Sequence, residues 1–144
     1  GLSLPKVRIA EFEQVFAALA SEWLSPDQLT GCWLSDGELA ADEFSLMMAE
    51  QLRQAGPWGQ AFPEPGFDGR FRLLSQRLVG GKHLKMQVRP EAGGPELDAI
   101  AFNVDLDLWP NASIQWVELA YRLDINEWRG NRCVQLLVSL LRPL

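Results

Sequence analysis

The sequence lacks the features that mark a membrane protein, a secreted protein or a common enzyme site. No apolar run approaches the roughly 20 residues that cross a bilayer, and the N-terminus lacks the basic-then-apolar layout of a secretion signal. Cys32 and Cys133 lie far apart without metal-ligand spacing, so we expect buried free thiols. There is no phosphate-binding glycine loop and no nucleophile elbow. We therefore expect a cytoplasmic chain without membrane contact.

The overall composition is typical of a soluble globular protein, with 47% hydrophobic and 22% charged residues. The net charge of -6 is unevenly distributed. Through Phe67 there are three basic and ten acidic residues, whereas the remainder has ten basic and nine acidic residues. Only the second half could present a basic face, and its balance is too near neutral for strong unaided binding of nucleic acid.

The first half has helical periodicity and is followed by a segment rich in proline and glycine. Apolar residues at three- and four-residue steps predict helices over residues 5–24 and 42–55, with both apolar stripes in the core. Residues 57–67 contain three prolines and two glycines, which predicts a linker. Its aromatic residues, Trp58, Phe62 and Phe67, are expected to pack the linker against a domain. The predicted domains are residues 1–56, the linker 57–67, and residues 68–144.

After the linker the apolar period changes from helical to two, which is typical of strands. The predicted strands are residues 71–79, 83–89, 96–104, 113–125 and 132–141. Five strands in about 75 residues, with the longest connector between the third and fourth, predict a small barrel of the OB type. The predicted fold class is therefore α+β, a helical segment followed by a five-stranded barrel.

The second and third strands are the predicted binding surface of this barrel. In the second strand, Leu84, Met86 and Val88 are predicted to face the core, leaving His83, Lys85, Gln87 and Arg89 outside. In the third strand, Ile100, Phe102 and Val104 are predicted to be core. Ala99 and Ala101 would then form a bare outer surface along which a sugar-phosphate chain could lie.

Two loops are predicted to flank this surface, Gly80-Gly81-Lys82 and the polar stretch from Asn126 to Asn131. The second loop holds Trp128 and Arg129, with Arg132 just beyond it, and an aromatic ring beside guanidinium groups suits stacked bases and phosphates. Two interpretations remain open for this stretch. It is either part of a nucleic-acid site or a structural hairpin whose Trp128 covers one end of the barrel.

Three runs in the second half carry a family resemblance. They are Val79-Gly80-Gly81-Lys82-His83-Leu84-Lys85, Asp98-Ala99-Ile100-Ala101-Phe102-Asn103, and the stretch from Tyr121 through Asn131 to Leu136. Together they resemble the C-terminal OB domain of the RecJ single-stranded-DNA-specific exonuclease family. The linker and first half resemble the joining segment and final helices of that family's DHH-associated domain.

The resemblance implies a fragment of a 5′-to-3′ exonuclease of DNA repair and recombination. It implies single-stranded DNA as partner, and a separate DHH domain that uses manganese or magnesium. With His83 as the single histidine, the fragment alone is expected to bind no metal and to be inactive. We expect a monomer. The alternative is a docking module for the acidic, Phe-ended tail of single-stranded-DNA-binding protein.

The candidate nucleic-acid contacts each have a structural alternative. Lysines are also common on solvated strand edges, His83 could be an ordinary surface residue, and Asn126 suits a turn. Arg129 and Arg132 could hold the loop through Asp124 and Glu127, and Arg70 and Arg72 could extend the track from the linker side. The predicted contacts are Lys82, His83, Lys85, Arg89, Asn126, Trp128, Arg129 and Arg132.

Overall fold

The computed structural model describes residues 3–25, 32–59 and 61–144, and for Trp128 it describes the backbone alone. The chain divides into two compact units between Trp33 and Leu34. The sequence predicted a later division, at residues 57–67. Residues 34–66 belong to the same unit as the strands because Phe44 and Ala49 enter its hydrophobic core. The assignment of the first segment to a DHH-associated domain stays a prediction.

The first unit contains a short 3-10 helix, Lys6–Arg8, followed by helix α1, Ile9–Trp23. The helix predicted over residues 5–24 is therefore present, with a tighter first turn. Glu11 forms an exposed ion pair with Arg8 at 3.0 Å, and this hydrogen bond raises the pKa of the Arg8 guanidinium. The apolar stripe of α1 was predicted to lie in the core. No residue of α1 is buried by the residues that the structure describes.

The second unit contains a closed barrel of five strands. They are β1 (Phe67–Val79), β2 (His83–Pro90), β3 (Leu97–Ala101), β4 (Trp116–Trp128) and β5 (Asn131–Pro143). Their order around the barrel is β1-β2-β3-β5-β4. The β3–β5 pair is parallel and the others are antiparallel. The predicted fold class is confirmed, and Leu84, Met86 and Val88 fill the interior as the alternation of β2 predicted.

The orientation predicted for β3 is wrong. Ala99 and Ala101 are 0% and 4% exposed and belong to the core. In the strand register, Ala99 lies between Met86 of β2 and Leu136 of β5. A small residue between two large ones suits the narrow interior of a small barrel. The bare alanine surface predicted for a sugar-phosphate chain therefore does not exist.

The apolar residues predicted to be core in this stretch lie elsewhere. Ile100 is half-buried on the outer face of β3, and Phe102 is 51% exposed just after the strand. Val104 is partly buried and packs against the core from the connector that follows β3. The same connector contributes Trp109 to the core, so the long β3–β4 connection is held to the barrel by an aromatic anchor.

Residues 34–45, which we call the strap, contain no helix or strand and run beside the start of β1. The Asp36 amide donates to the Gly66 carbonyl at 2.7 Å, and the Gly66 amide donates to Asp36 Oδ2 at 2.9 Å. The side chain of Phe44 packs on Phe71 and Tyr121, with ring centroids 6.2 Å away in both cases. The strap therefore contributes an aromatic residue to the barrel core.

Helix α2, Leu46–Ala55, follows the strap and packs on β4 and β5. It begins four residues later than predicted, where Ser45 Oγ accepts a hydrogen bond from the Met48 amide as an N-cap. Two ion pairs hold the helix to these strands, Arg53 to Asp124 at 3.1 Å and Glu50 to Arg132 at 2.7 Å.

The predicted linker is tied to its surroundings by specific contacts. The Trp58 indole donates to the Leu52 carbonyl at 3.2 Å, and its ring lies 5.0 Å from that of Phe62. Glu64 pairs with Arg122 of β4 at 3.1 Å. Phe67 is the buried first residue of β1. The predicted packing is confirmed for Trp58 and Phe67, whereas Phe62 is 60% exposed and contacts Trp58 of the same segment.

The cysteines and the helices bear on two further predictions from the sequence. Both cysteines are free, but they are exposed and not buried as predicted. Among the helices of the described residues, none is sufficiently long and apolar to span a membrane.

Candidate nucleic-acid interface

The pairing of β1 with β2 brings four basic side chains to one outward surface. Arg72 lies opposite Arg89, and Arg77 lies opposite Lys85. Residues directly opposite each other in an antiparallel pair project from the same face. The three arginines are exposed and Lys85 is partly buried. Lys82 lies exposed in the loop that joins the two strands. We call the surface formed by these five residues the basic face.

The two cations on β2 are partly neutralised by acids from the β3 side. Lys85 Nζ lies 2.9 Å from Asp98 Oδ2, and both side chains are about three-quarters buried. Arg89 pairs with Glu96, with a guanidinium-to-carboxylate distance of 2.5 Å. Both residues were predicted to contact nucleic acid, Lys85 through phosphate. The structure shows that each already has a carboxylate partner with which a phosphate would compete.

The cations on β1 and in the loop have no such partner. Arg72, Arg77 and Lys82 form no ion pair or side-chain hydrogen bond with any residue that the structure describes. Like charges directly opposite each other in a sheet are unfavourable, and this face contains two such pairs, Arg72 with Arg89 and Arg77 with Lys85. An anion bound between the strands would relieve this repulsion.

A β-bulge explains why the sequence did not reveal this arrangement. Arg72 and Arg77 are five residues apart and would face opposite sides of a regular strand. The register of β1 against β2 shifts between Leu73 and Ser75, and the extra residue turns both arginines outward. From the sequence, Arg72 was predicted only as an extension of the site and Arg77 was not predicted, because simple alternation conceals a bulge.

His83 begins β2 and is half-buried on the outer side of the barrel. Its Nδ1 accepts a hydrogen bond from the Asn103 amide at 3.1 Å, and its ring lies edge-on to Phe102 at 4.9 Å. These contacts attach the chain after β3 to the start of β2. In the neutral ring this bond leaves the proton on Nε2, which can then donate to a ligand.

The predicted polar loop from Asn126 to Asn131 is a tight hairpin. β4 continues to Trp128, β5 begins at Asn131, and the two-residue turn has positive φ at Arg129 (51°) and Gly130 (81°). Two positive φ values are typical of a type I′ turn, whose twist matches that of the flanking strands. The predicted reversal of the chain is confirmed. The side chain of Trp128 lies outside the described part of the structure.

The other residues predicted in this hairpin have structural contacts. Arg132 pairs with Glu50 of α2 at 2.7 Å and lies 3.9 Å from Glu127. The Asn126 carbonyl accepts from the Cys133 thiol at 3.9 Å. Asp124, considered as a partner of the hairpin arginines, pairs instead with Arg53. The structural interpretation of Arg132 is thus favoured by its attachment to α2.

The predicted contacts lie at two ends of β3. Leu84 pairs with Ala101, so Lys82 and His83 lie at the Ala101 end. Gln135 of β5 pairs with Asp98, so the hairpin lies beyond the other end. The Gly80-Gly81-Lys82 loop and the β4–β5 hairpin therefore lie at opposite ends of the sheet and are not adjacent.

The described residues do not fit the metal centre that the family resemblance implies for the parent enzyme. Among residues 3–25, 32–59 and 61–144, no group of three or more His, Cys, Asp or Glu side chains could hold a metal ion. Hydrolysis assisted by two metal ions requires several such ligands to converge.

These observations define the class of protein. A closed five-stranded barrel in this order, with a long third connection and a tight β4–β5 hairpin, is an OB-fold domain. The RecJ OB domain family model matches residues 35–139, and the chain belongs to that family.

Three bacterial proteins, each named single-stranded-DNA-specific exonuclease RecJ, illustrate the relationship. The chain is 64% identical to that of Dickeya dadantii, 56% to that of Salmonella typhimurium and 54% to that of Escherichia coli, over 144 residues in each case. Each alignment covers all of this chain and 25% of the relative. The chain therefore spans a quarter of the length of these curated relatives.

Two crystal structures of RecJ from Thermus thermophilus have the same fold. The complexes with Mg²⁺ and Mn²⁺ match with TM-scores of 0.62 and 0.63 at 19% and 20% sequence identity. The alignments cover 99% and 100% of this chain, and 21% and 20% of the Thermus chains. At this level of identity, the similarity establishes the fold alone.

Proposed function

We propose that this chain is the C-terminal, single-stranded-DNA-binding part of a RecJ-like 5′-to-3′ exonuclease of DNA repair and recombination. It holds the strand and guides it to a catalytic DHH domain that lies outside these 144 residues. The proposal is supported by membership of the RecJ OB-domain family and by relatives that are named single-stranded-DNA-specific exonucleases.

One observation carries the binding part of the proposal. The basic face places Arg72 and Arg77 opposite other cations, and neither arginine has an ion-pair partner in the described chain. Like charges in this arrangement lower the stability of the free protein, and a polyanion bound over them would offset the repulsion. Guanidinium groups are suited to this contact because their planar donors match phosphate oxygens.

The eight predicted contacts take different parts in this proposal. Lys82 has no partner among the described residues and extends the phosphate track from β1 into the loop. Lys85 and Arg89 contribute only when DNA competes with their carboxylate partners. His83 offers one ring nitrogen. Asn126, Trp128, Arg129 and Arg132 form a second group at the hairpin, where Trp128 is proposed to stack on a base.

Catalysis is assigned to the rest of the parent protein. The described residues do not bring together three or more side chains that could hold a metal ion. Manganese or magnesium in the proposed DHH domain would supply the activated water. The contribution of this chain is to position the strand.

The salt dependence of DNA binding tests the proposal. Three phosphate contacts, from Arg72, Arg77 and Lys82, predict weak binding whose log–log slope against salt is about -2, at about 0.7 per contact on a single strand. The measurement is fluorescence anisotropy of a labelled oligothymidine, with the 144-residue chain added between about 50 and 200 mM salt. Binding that does not respond to salt, or no binding at low salt, would contradict it.

A second candidate is the docking of the acidic, Phe-ended tail of single-stranded-DNA-binding protein. It is favoured by a cavity of about 220 Å³ with largely apolar walls, including Phe102, Leu108 and Trp109. Lys82 lies next to this wall because its carbonyl accepts from the Val104 amide at 3.1 Å. An acidic peptide that binds through a terminal Phe, while oligothymidine does not bind, would favour this function over the first.

A further inference from the structure

A second cavity, of about 180 Å³, lies where the strap meets the barrel. The strap contributes Glu38 and Phe44, the start of β1 contributes Asp68 and Phe71, and Glu91 and Tyr121 complete the walls. A single water needs only about 10–15 Å³ of such space, so the cavity can hold several waters. It is therefore large enough for a small polar group and its hydration.

The walls of this cavity carry an excess of negative charge. Glu38, Asp68 and Glu91 line it, against a single base, Arg70. Glu38 and Glu91 form no ion pair with any residue of the described ranges, and Asp68 accepts a hydrogen bond from Ser35 Oγ. The carboxylates of Glu38 and Glu91, together with that of Asp68, create a negative potential in the cavity.

Tyr121 supplies an independent indication that a ligand belongs here. The residue is 1% exposed, and its hydroxyl forms no hydrogen bond with any residue that the structure describes. The hydroxyl oxygen nevertheless retains some solvent access, and Tyr121 is one of the residues that line the cavity. Burial raises the pKa of this phenol, and Asp68, Glu38 and Glu43 raise it further. A hydrogen-bond donor that enters the cavity could therefore bond to this hydroxyl, which can accept as well as donate.

We propose that this cavity binds the cationic head of a basic side chain, a guanidinium or an ammonium group. The carboxylates of Glu38 and Glu91 pair with the cation, and the Tyr121 hydroxyl accepts a hydrogen bond from one of its N–H groups. Phe44 and Phe71 contact its apolar side. Aromatic walls favour an organic cation. Mg²⁺ or Ca²⁺ would require converging oxygen ligands, which the described residues do not provide. This proposal does not depend on the DNA-binding function.

The one tyrosine of the chain allows a direct test. With ring-labelled tyrosine in the 144-residue chain, all tyrosine NMR signals report on Tyr121. Adding N-acetyl-arginine amide at neutral pH is expected to shift these signals in a saturable manner. N-acetyl-glutamine amide, which has no charge, is expected to leave them unchanged. Spermidine is the second arm: tighter binding of spermidine indicates a free polyamine as ligand, and tighter binding of the arginine amide indicates a polypeptide side chain.

Variants of the cavity wall make the test specific. Glu38→Gln with Glu91→Gln is expected to weaken arginine-amide binding by about tenfold, the loss of two partly screened ion pairs. Both glutamates are exposed, so folding should be retained. Arg70→Gln removes a like charge and is expected to tighten binding severalfold. The proposal is overturned if no saturable shift occurs, if the double variant binds equally well, or if Mg²⁺ produces the same saturable shift.

Discussion

Replacing Arg72 and Arg77 together by alanine is expected to weaken binding of single-stranded DNA by roughly 10- to 100-fold at low salt. Each arginine contributes a charge-assisted contact to phosphate, and about 1.4 kcal/mol corresponds to a tenfold change in affinity. The slope of log affinity against log salt should fall by about 1.4, the share of two phosphates on a single strand. Anisotropy of labelled oligothymidine at several salt concentrations measures both quantities.

A matched control separates this local effect from a general loss of positive charge. Lys6→Gln with Arg8→Gln removes the same formal charge from the first unit and should leave affinity and slope close to those of the original chain. Equal weakening by both double variants would show that the basic face has no special role. The Arg72 and Arg77 variant should unfold at the same or a slightly higher temperature, because it removes two like-charge pairs across the strands.

Replacing Ala99 by leucine is expected to lower the free energy of unfolding by about 1–3 kcal/mol, the usual cost of overpacking a filled core. Ala99 is fully buried between Met86 and Leu136, and the register leaves no outward direction for a larger side chain. Urea unfolding followed by tryptophan fluorescence measures the change.

The control for this substitution lies on the neighbouring strand. Gln87→Leu adds an apolar side chain at an exposed position of β2 and should change the free energy of unfolding by no more than about 0.5 kcal/mol. If Ala99→Leu were as mild as Gln87→Leu, Ala99 would face outward, as the sequence analysis expected. The orientation of β3 in the structure would then be wrong.

The features that the sequence predicts well are those that depend on neighbours in the chain. The alternation from His83 to Arg89 defines both faces of β2 because a strand turns one side chain to each side in succession. The reversal at Arg129 and Gly130 follows from local backbone preferences. Five such segments, separated by turn residues, were sufficient to predict the barrel.

The features that the sequence did not predict depend on partners that are distant in the chain. Both faces of the strand around Ala99 and Ile100 carry apolar side chains. Hydrophobicity therefore favoured the larger side chains, such as Ile100, as the core residues. In the narrow barrel the small residues of β3 face the core instead. This constraint arises only because β2 and β5 lie on either side of β3. The pairing of Glu50 with Arg132 joins α2 to the hairpin, and no local pattern indicates it.

The positions of the basic residues in the sequence also predicted the wrong centre for the candidate site. Lys85 and Arg89 have the expected outward positions, but the acids beside β3 partly neutralise them. Within the described part of the chain, the charge without an ion-pair partner lies instead on β1, where a bulge aligns two arginines that regular alternation would separate. An assignment of phosphate contacts therefore requires the ion pairs and the register, in addition to the positions of lysine and arginine.

The most direct test of the basic face is to map where DNA contacts the chain. Amide NMR spectra of the ¹⁵N-labelled chain, recorded during titration with oligothymidine, report on each strand separately. The account predicts progressive shifts at Arg72, Arg77 and Lys82 and at their neighbours on β2, with little change in α2. Shifts confined to α2 or the strap, with β1 and β2 unaffected while the oligonucleotide binds, would contradict it.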